Sequence, residues 1–288
     1  MKRLLAASVL LLFITSAYSA GSLPSVYLSH FSVVLDKATY TALRTSAQLE
    51  SLADCELVHT QEGSGDYTGF YVRGRQTYME FFGDPVPEGE HLGHVGLGLT
   101  VEQAGGAAII AAHLRAIFGG KVKIHSATRP VGGHAVPWYT ATYIDADDDS
   151  AMLFGWVSET DPEYLAAQHP NSPIDHPLSR KQYLAWDFKP DRLLDDVVGL
   201  TLALEASELA QLAKELQAIG WTVKREDSGF AAIGPDVKIT VVPAVKKGGL
   251  QRIDLRLIKQ VPKQEIIFGN AKLIVEGSSG RFTFPVVK

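Results

Sequence analysis

Residues Val26–Asp36 read Val-Tyr-Leu-Ser-His-Phe-Ser-Val-Val-Leu-Asp, and the stretch they open decides the fold. Tyr27–Leu35 is a β-rich run ended by Asp36. Ala38–Leu52 follows with Tyr40, Leu43 and Ala47 at helical spacing, which predicts a helix. Glu56–Thr60, Tyr67–Arg73 and Gln76–Phe82 are then three strand-like runs, split by Gly63-Ser64-Gly65 and by Gly74. The order is βαβββ.

The same order recurs downstream. Gly93–Val101 is a strand and Gln103–Phe118 a helix, with Ile110, Leu114 and Ile117 on one face and Gly119-Gly120 as its stop. Lys121–Ser126, Trp138–Ile144 and Ala151–Ser158 complete a second unit, its last two strands joined by the acidic turn Asp145–Asp149. A third begins with Val198–Leu204, the amphipathic helix Ser207–Ile219, and the strands Trp221–Arg225, Gly229–Ile233 and Val237–Val242. A fourth, shortened copy runs through Arg252–Ile258, Lys272–Val275 and Arg281–Phe284 with its helix almost gone. The expected fold class is α+β, with repeated βαβββ units pairing into half-barrel sheets and a degenerate second pair. The expected organisation is 1–20 a leader, 26–162 the paired units, 163–195 a long ordered loop or linker rich in Pro and His, and 196–288 a C-terminal domain.

Lys2-Arg3, the apolar run Leu4–Ile14 and the small residues ending at Ala20 have the three parts of a cleavable secretory signal, and the run is too short to span a bilayer. The expected location is periplasmic or secreted, with no membrane contact after cleavage. The net charge of −5 provides no basic patch, which argues against nucleic acid as a partner. Cys55 is the single cysteine, so no intrachain disulfide forms.

Overlaying the first two units sets His30 against His94 on the opening strands and Glu80 against Glu159 on the closing strands. Two neutral imidazoles and two carboxylates suit a divalent first-row metal (Zn, Ni, Fe or Mn). Glu80 carries most weight, because it lies between large apolar neighbours in Thr77-Tyr-Met-Glu-Phe-Phe82, where a lone carboxylate is costly. Its alternative is a buried ion pair with Arg73 or Arg75. Tyr67, Tyr71, Tyr78 and Trp138 alternate with apolar residues as core or cavity lining, and Gly96 and Gly98 leave room for a ligand. His134, just before a strand, is a weaker acid/base candidate. His169 and His176 read as surface-loop residues between prolines.

The repeated unit, with His on its first strand and Glu on its last, resembles the vicinal-oxygen-chelate superfamily of glyoxalases, bleomycin-resistance proteins and extradiol dioxygenases. The phrases Leu28–Asp36 and Tyr67–Phe82 are similar to a glyoxalase-like branch. The resemblance implies metal ligation by His30, Glu80, His94 and Glu159, chelation of adjacent substrate oxygens, and Glu80 or Glu159 as proton acceptor. That is isomerase, lyase or dioxygenase chemistry on a small oxygenated molecule. The other class it implies is a non-catalytic protein that binds or sequesters a small ligand. A homodimer is compatible with both. Leu200 and Ile253 occupy the histidine position of the later copies, which therefore read as metal-free.

Overall fold

Alternation of apolar and polar side chains makes the opening run a half-buried strand, β1 (Val26–Val34), in the computed structural model, which describes residues 22–62, 65–145, 151–246 and 248–285. The expected leader Met1–Ala20, Gly63-Ser64 and most of the acidic turn (146–149) lie outside the described residues. The alternation of β1 breaks once. Pairing slips between Leu28 and His30, so Ser29 is an extra residue and forms a β-bulge. Leu28 and Phe31 therefore both face the core, while His30 and Ser32 face the other way.

Asp36 accepts hydrogen bonds from Ala38 N and Thr39 N and starts α1 (Lys37–Arg44). The expected single helix Ala38–Leu52 is two. Ser46 interrupts it and caps α2 (Ala47–Leu52) by accepting from Leu49 N at 3.1 Å. Next come β2 (Asp54–Glu62), β3 (Gly65–Arg73), β4 (Tyr78–Phe82), β5 (Val95–Val101), α3 (Gly106–Phe118), β6 (Val122–Val131), β7 (His134–Ile144) and β8 (Leu153–Thr160). These eight strands form one mixed sheet in the order β2-β3-β4-β1-β5-β8-β7-β6. β1 runs parallel to β4, β5 parallel to β8, and β1 and β5 meet antiparallel at the centre. The sheet curls until its edge strands β2 and β6 approach each other, forming a half-barrel.

The segment after β8 holds α4 (Pro162–Gln168) and α5 (Arg180–Tyr183) and is ordered throughout. Tyr164, Leu165 and Leu178 form a small core of their own with Ala127 and Trp138. Buried Arg180 rivets the segment down, reaching Glu102, the Leu28 carbonyl and Asp236 at 2.7–3.0 Å while stacking over Tyr27. It is a strap across the sheet.

The second sheet contains β9 (Leu194–Leu204), β10 (Thr222–Glu226), β11 (Gly229–Ile233), β12 (Lys238–Pro243), β13 (Gly249–Phe268) and β14 (Ala271–Thr283), in the order β10-β11-β12-β9-β13-β14. α6 (Ala206–Ala218) connects β9 to β10. The expected fourth unit is instead one long antiparallel hairpin of β13 and β14 with no helix. Leu200 and Ile253 pair with each other across β9 and β13, and both are buried. The two sheets share a continuous core, in which Phe81 of β4 meets Phe282 and Phe284 at ring distances of 6.4 and 6.3 Å. No helix among the described residues is long and apolar enough to cross a membrane.

Candidate functional site

Two rows of side chains cross the concave face of the first sheet, set by strand register. One row runs Tyr78, His30, Gly98, Trp156, Tyr143 over β4, β1, β5, β8 and β7. The other runs Tyr71, Glu80, Ser32, Gly96, Phe154 over β3, β4, β1, β5 and β8. Together they floor a cavity of about 550 Å³, a size that suits a small organic ligand.

The glycines are spatial necessities. A Cβ at Gly98 would stand 2.5 Å from His30 Cε1, and one at Gly96 would stand 2.3 Å from Ser32 Oγ. The space foreseen for a ligand at these two positions is thus filled by His30, Ser32 and Trp156. A Cβ at Gly69 would lie 2.6 Å from a Glu80 carboxylate oxygen, so that glycine admits the glutamate.

The His30 ring stacks flat on Tyr78, with centroids 4.4 Å apart and 6° between planes, and meets the edge of Trp156 at 5.3 Å. Burial pushes its pKa from 6.5 to about 3, so the imidazole is neutral at physiological pH. Glu80 is 5 % exposed and bonds the Tyr71 hydroxyl. Burial first, and the neighbouring Glu80 charge among the further causes, hold the Tyr71 and Tyr78 phenols well above their ordinary range. Both hydroxyls therefore keep their protons. The strap closes one side of the cavity with Tyr183, whose hydroxyl accepts from Trp138 Nε1 at 3.2 Å.

The four expected metal ligands do not converge. His30 and Glu80 both line the cavity. His94 is not the register partner of His30, which is Gly98. It precedes β5, lies at the cavity rim and pairs with Glu90. Glu159 is on the opposite face of β8 from Trp156 and Ser158. Its two oxygens accept from Gly105 N at 2.8 Å and Ala107 N at 3.1 Å, capping α3, whose first residues carry no capping side chain. Its expected roles as ligand and proton acceptor are therefore corrected to helix capping. In the rows through His30 and Glu80, the second half of the sheet supplies Gly98, Trp156, Gly96 and Phe154, none of which ligates a metal. No cluster of three or more His, Cys, Asp or Glu suited to an ion occurs among the described residues. The donor set does not fit the superfamily's metal.

The arginine alternative for Glu80 also fails. Arg73 is buried with Asp54, Glu56 and Asp187 at 2.8–3.5 Å, and Arg75 binds Asp195 at 2.8 Å. His134 sits at the β6–β7 hairpin end, away from the cavity lining, and His169 stacks on Trp186 at 3.9 Å. Cys55 is half-buried, and burial raises its thiol to about 12. Phe154, Trp156, Tyr143 and Tyr183 were not singled out from sequence. The available signal was the aromatic alternation in Leu153-Phe-Gly-Trp-Val.

Among solved structures, a hypothetical protein from Staphylococcus aureus is similar in fold, with a TM-score of 0.56 and 10% identity over 87% of this chain and 98% of that one. A xylose isomerase-like TIM barrel/4-hydroxyphenylpyruvate dioxygenase fusion protein is more distant, at TM-score 0.44 and 12% identity over 79% of this chain and 36% of that one. A mutant 4-hydroxymandelate synthase from Streptomyces coelicolor gives TM-score 0.37 and 13% identity, covering 80% of this chain and 70% of that one. The last two are too distant to carry a functional argument. Among curated proteins no sequence matches. The match that spans the fold is to a family model over residues 28–284, so the chain belongs to the family of unknown function DUF5829.

Proposed function

We propose that this protein is a non-catalytic binder of a small planar molecule, built on a glyoxalase-like half-barrel from βαβββ units at 26–162 and 196–288 joined by the strap at 163–195. One observation carries the reading. Where a metal-dependent relative would place its second set of ligands, the cleft presents the indole of Trp156 and the ring of Phe154, stacked 5.6 Å apart. Such surfaces hold a ligand by stacking and area burial. His30, Ser32 and Glu80 supply a few polar anchors on the floor. The polar start Lys2-Arg3, the apolar run and the small residues to Ala20 support export, so the ligand is one met in the periplasm or outside the cell.

Trp138 and Trp156 line the cleft, and their emission reports on occupancy. Titration with planar aromatic compounds should quench it saturably in the native protein, and Trp156→Ala should weaken binding about tenfold or more. The competing reading, a metal enzyme, requires one tightly held divalent ion per chain that is lost in His30→Ala. Metal analysis showing that stoichiometry would sink the binder.

A further inference from the structure

The chemistry of the cleft wall identifies the charge of its ligand. Four carboxyl groups of the described residues line the cleft: Glu80 is buried, Glu88 is exposed, and Asp66 and Glu90 pair with His59 and His94. Among the described residues that line the cavity there is neither a lysine nor an arginine. Two arginines packed against rings of its wall are committed elsewhere. Arg73 lies over the outer face of Tyr71 and binds three carboxylates, and Arg129 stacks on Trp138 at 4.8 Å while donating to the Tyr164 hydroxyl at 3.0 Å. Of the three described histidines lining the cleft, His30 is a neutral ring, His94 is paired with Glu90, and His125 stands against the Tyr139 ring.

An anionic ligand such as a carboxylic acid or phosphate would meet no cationic fork and several negative groups. A cation would meet the opposite. Trp156, Phe154 and Tyr143 line the cleft with aromatic rings, whose negative quadrupole attracts ammonium groups. Glu80 stands beside them with 5 % exposure, in a setting where charge interactions are strong. The exposed Glu88 carboxylate would draw the cation in from solution.

Resting on the binder reading above, we infer that the cleft takes an organic cation, a protonated amine or quaternary ammonium carried on an aromatic body, with its positive centre between Glu80 and the Trp156–Phe154 wall. Three probes with one ring and different charge test it: benzyltrimethylammonium, benzyl alcohol and phenylacetate, each titrated into the purified full chain by tryptophan quenching and calorimetry. The cation should bind at least about tenfold more tightly than either of the others, and its affinity should fall as salt rises. Glu80→Gln should weaken binding of the cation about tenfold more than it weakens binding of benzyl alcohol, which can keep a hydrogen bond to the amide. Should that variant fold poorly, the exposed Glu88→Gln serves instead, because it should flatten the salt dependence without altering the fold. Equal binding of all three probes, or preference for phenylacetate, overturns the charge assignment and leaves the binder standing. Binding of none of them overturns both.

Discussion

His30 owes its position to one neighbour on its own strand and two on sequence-distant strands. The bulge at Ser29 turns it out of the core, Tyr78 stacks on one face, and Gly98 gives it room. Gly98 is needed here for space, since its backbone is ordinary β-sheet. Gly98→Ala should therefore cost about 1–3 kcal/mol in chemical denaturation, because a ring held against Tyr78 cannot retreat from a Cβ 2.5 Å away. It should also lower affinity for any cleft ligand. A fully stable Gly98→Ala protein would mean the ring is loosely held. From sequence, His30 was legible as a cleft residue but Gly98 only as an open space, because the direction of a ring's lean depends on cross-strand neighbours.

At the scale of the element, Glu159 shows what a misread face costs. It lies at the end of β8, one position out of phase with Phe154, Trp156 and Ser158. α3 opens at Gly105, with φ of +72° and no side-chain cap, so its first amides need an acceptor from elsewhere. Glu159 provides it and places a negative charge at the positive end of the helix. Glu159→Ala should destabilise the protein by about 1 kcal/mol, measured by urea denaturation, with cleft affinity unchanged. A Glu159→Ala protein of native stability that binds ligand or metal more weakly would restore the carboxylate to the site. The succession of strands and helices was readable because period and stop signals are local. The facing of each carboxylate was not, since a shift of one residue reverses it.

Across the whole molecule, two buried titratable groups make stability depend on pH in opposite senses. Glu215 on α6 packs against the back of β8, among Leu97, Leu99 and Trp156, and burial raises its pKa from 4.5 to about 7. Its contribution is complete below 4.5 and is lost as pH rises through 7. His30 has the reverse sign: with its pKa lowered from 6.5 to about 3, the neutral ring favours folding fully above 6.5, and this is lost as pH falls toward 3. Unfolding free energy should therefore decline from about pH 4.5 to 7 through Glu215. Glu215→Gln should remove that decline and stabilise the protein at pH 8 on the order of 2 kcal/mol. A pH profile unchanged by Glu215→Gln would show that water reaches the carboxylate.

By itself the sequence determined the α+β class, the three successive strand–helix–strand runs, and the setting of Glu80 among large apolar neighbours. Those follow from hydrophobic period, turn residues and the high cost of a carboxylate among aromatics, all properties of a short window. The tertiary structure alone decided that His30 opposes Gly98 and not His94, and that Trp156 and Phe154 stand where a second set of ligands was expected. It also turned the presumed linker into a strap that brings Tyr183 to the cleft. The physical reason is common to all three. Register and docking are set by hydrogen bonds and packing between residues far apart in the chain, about which a local pattern carries no information.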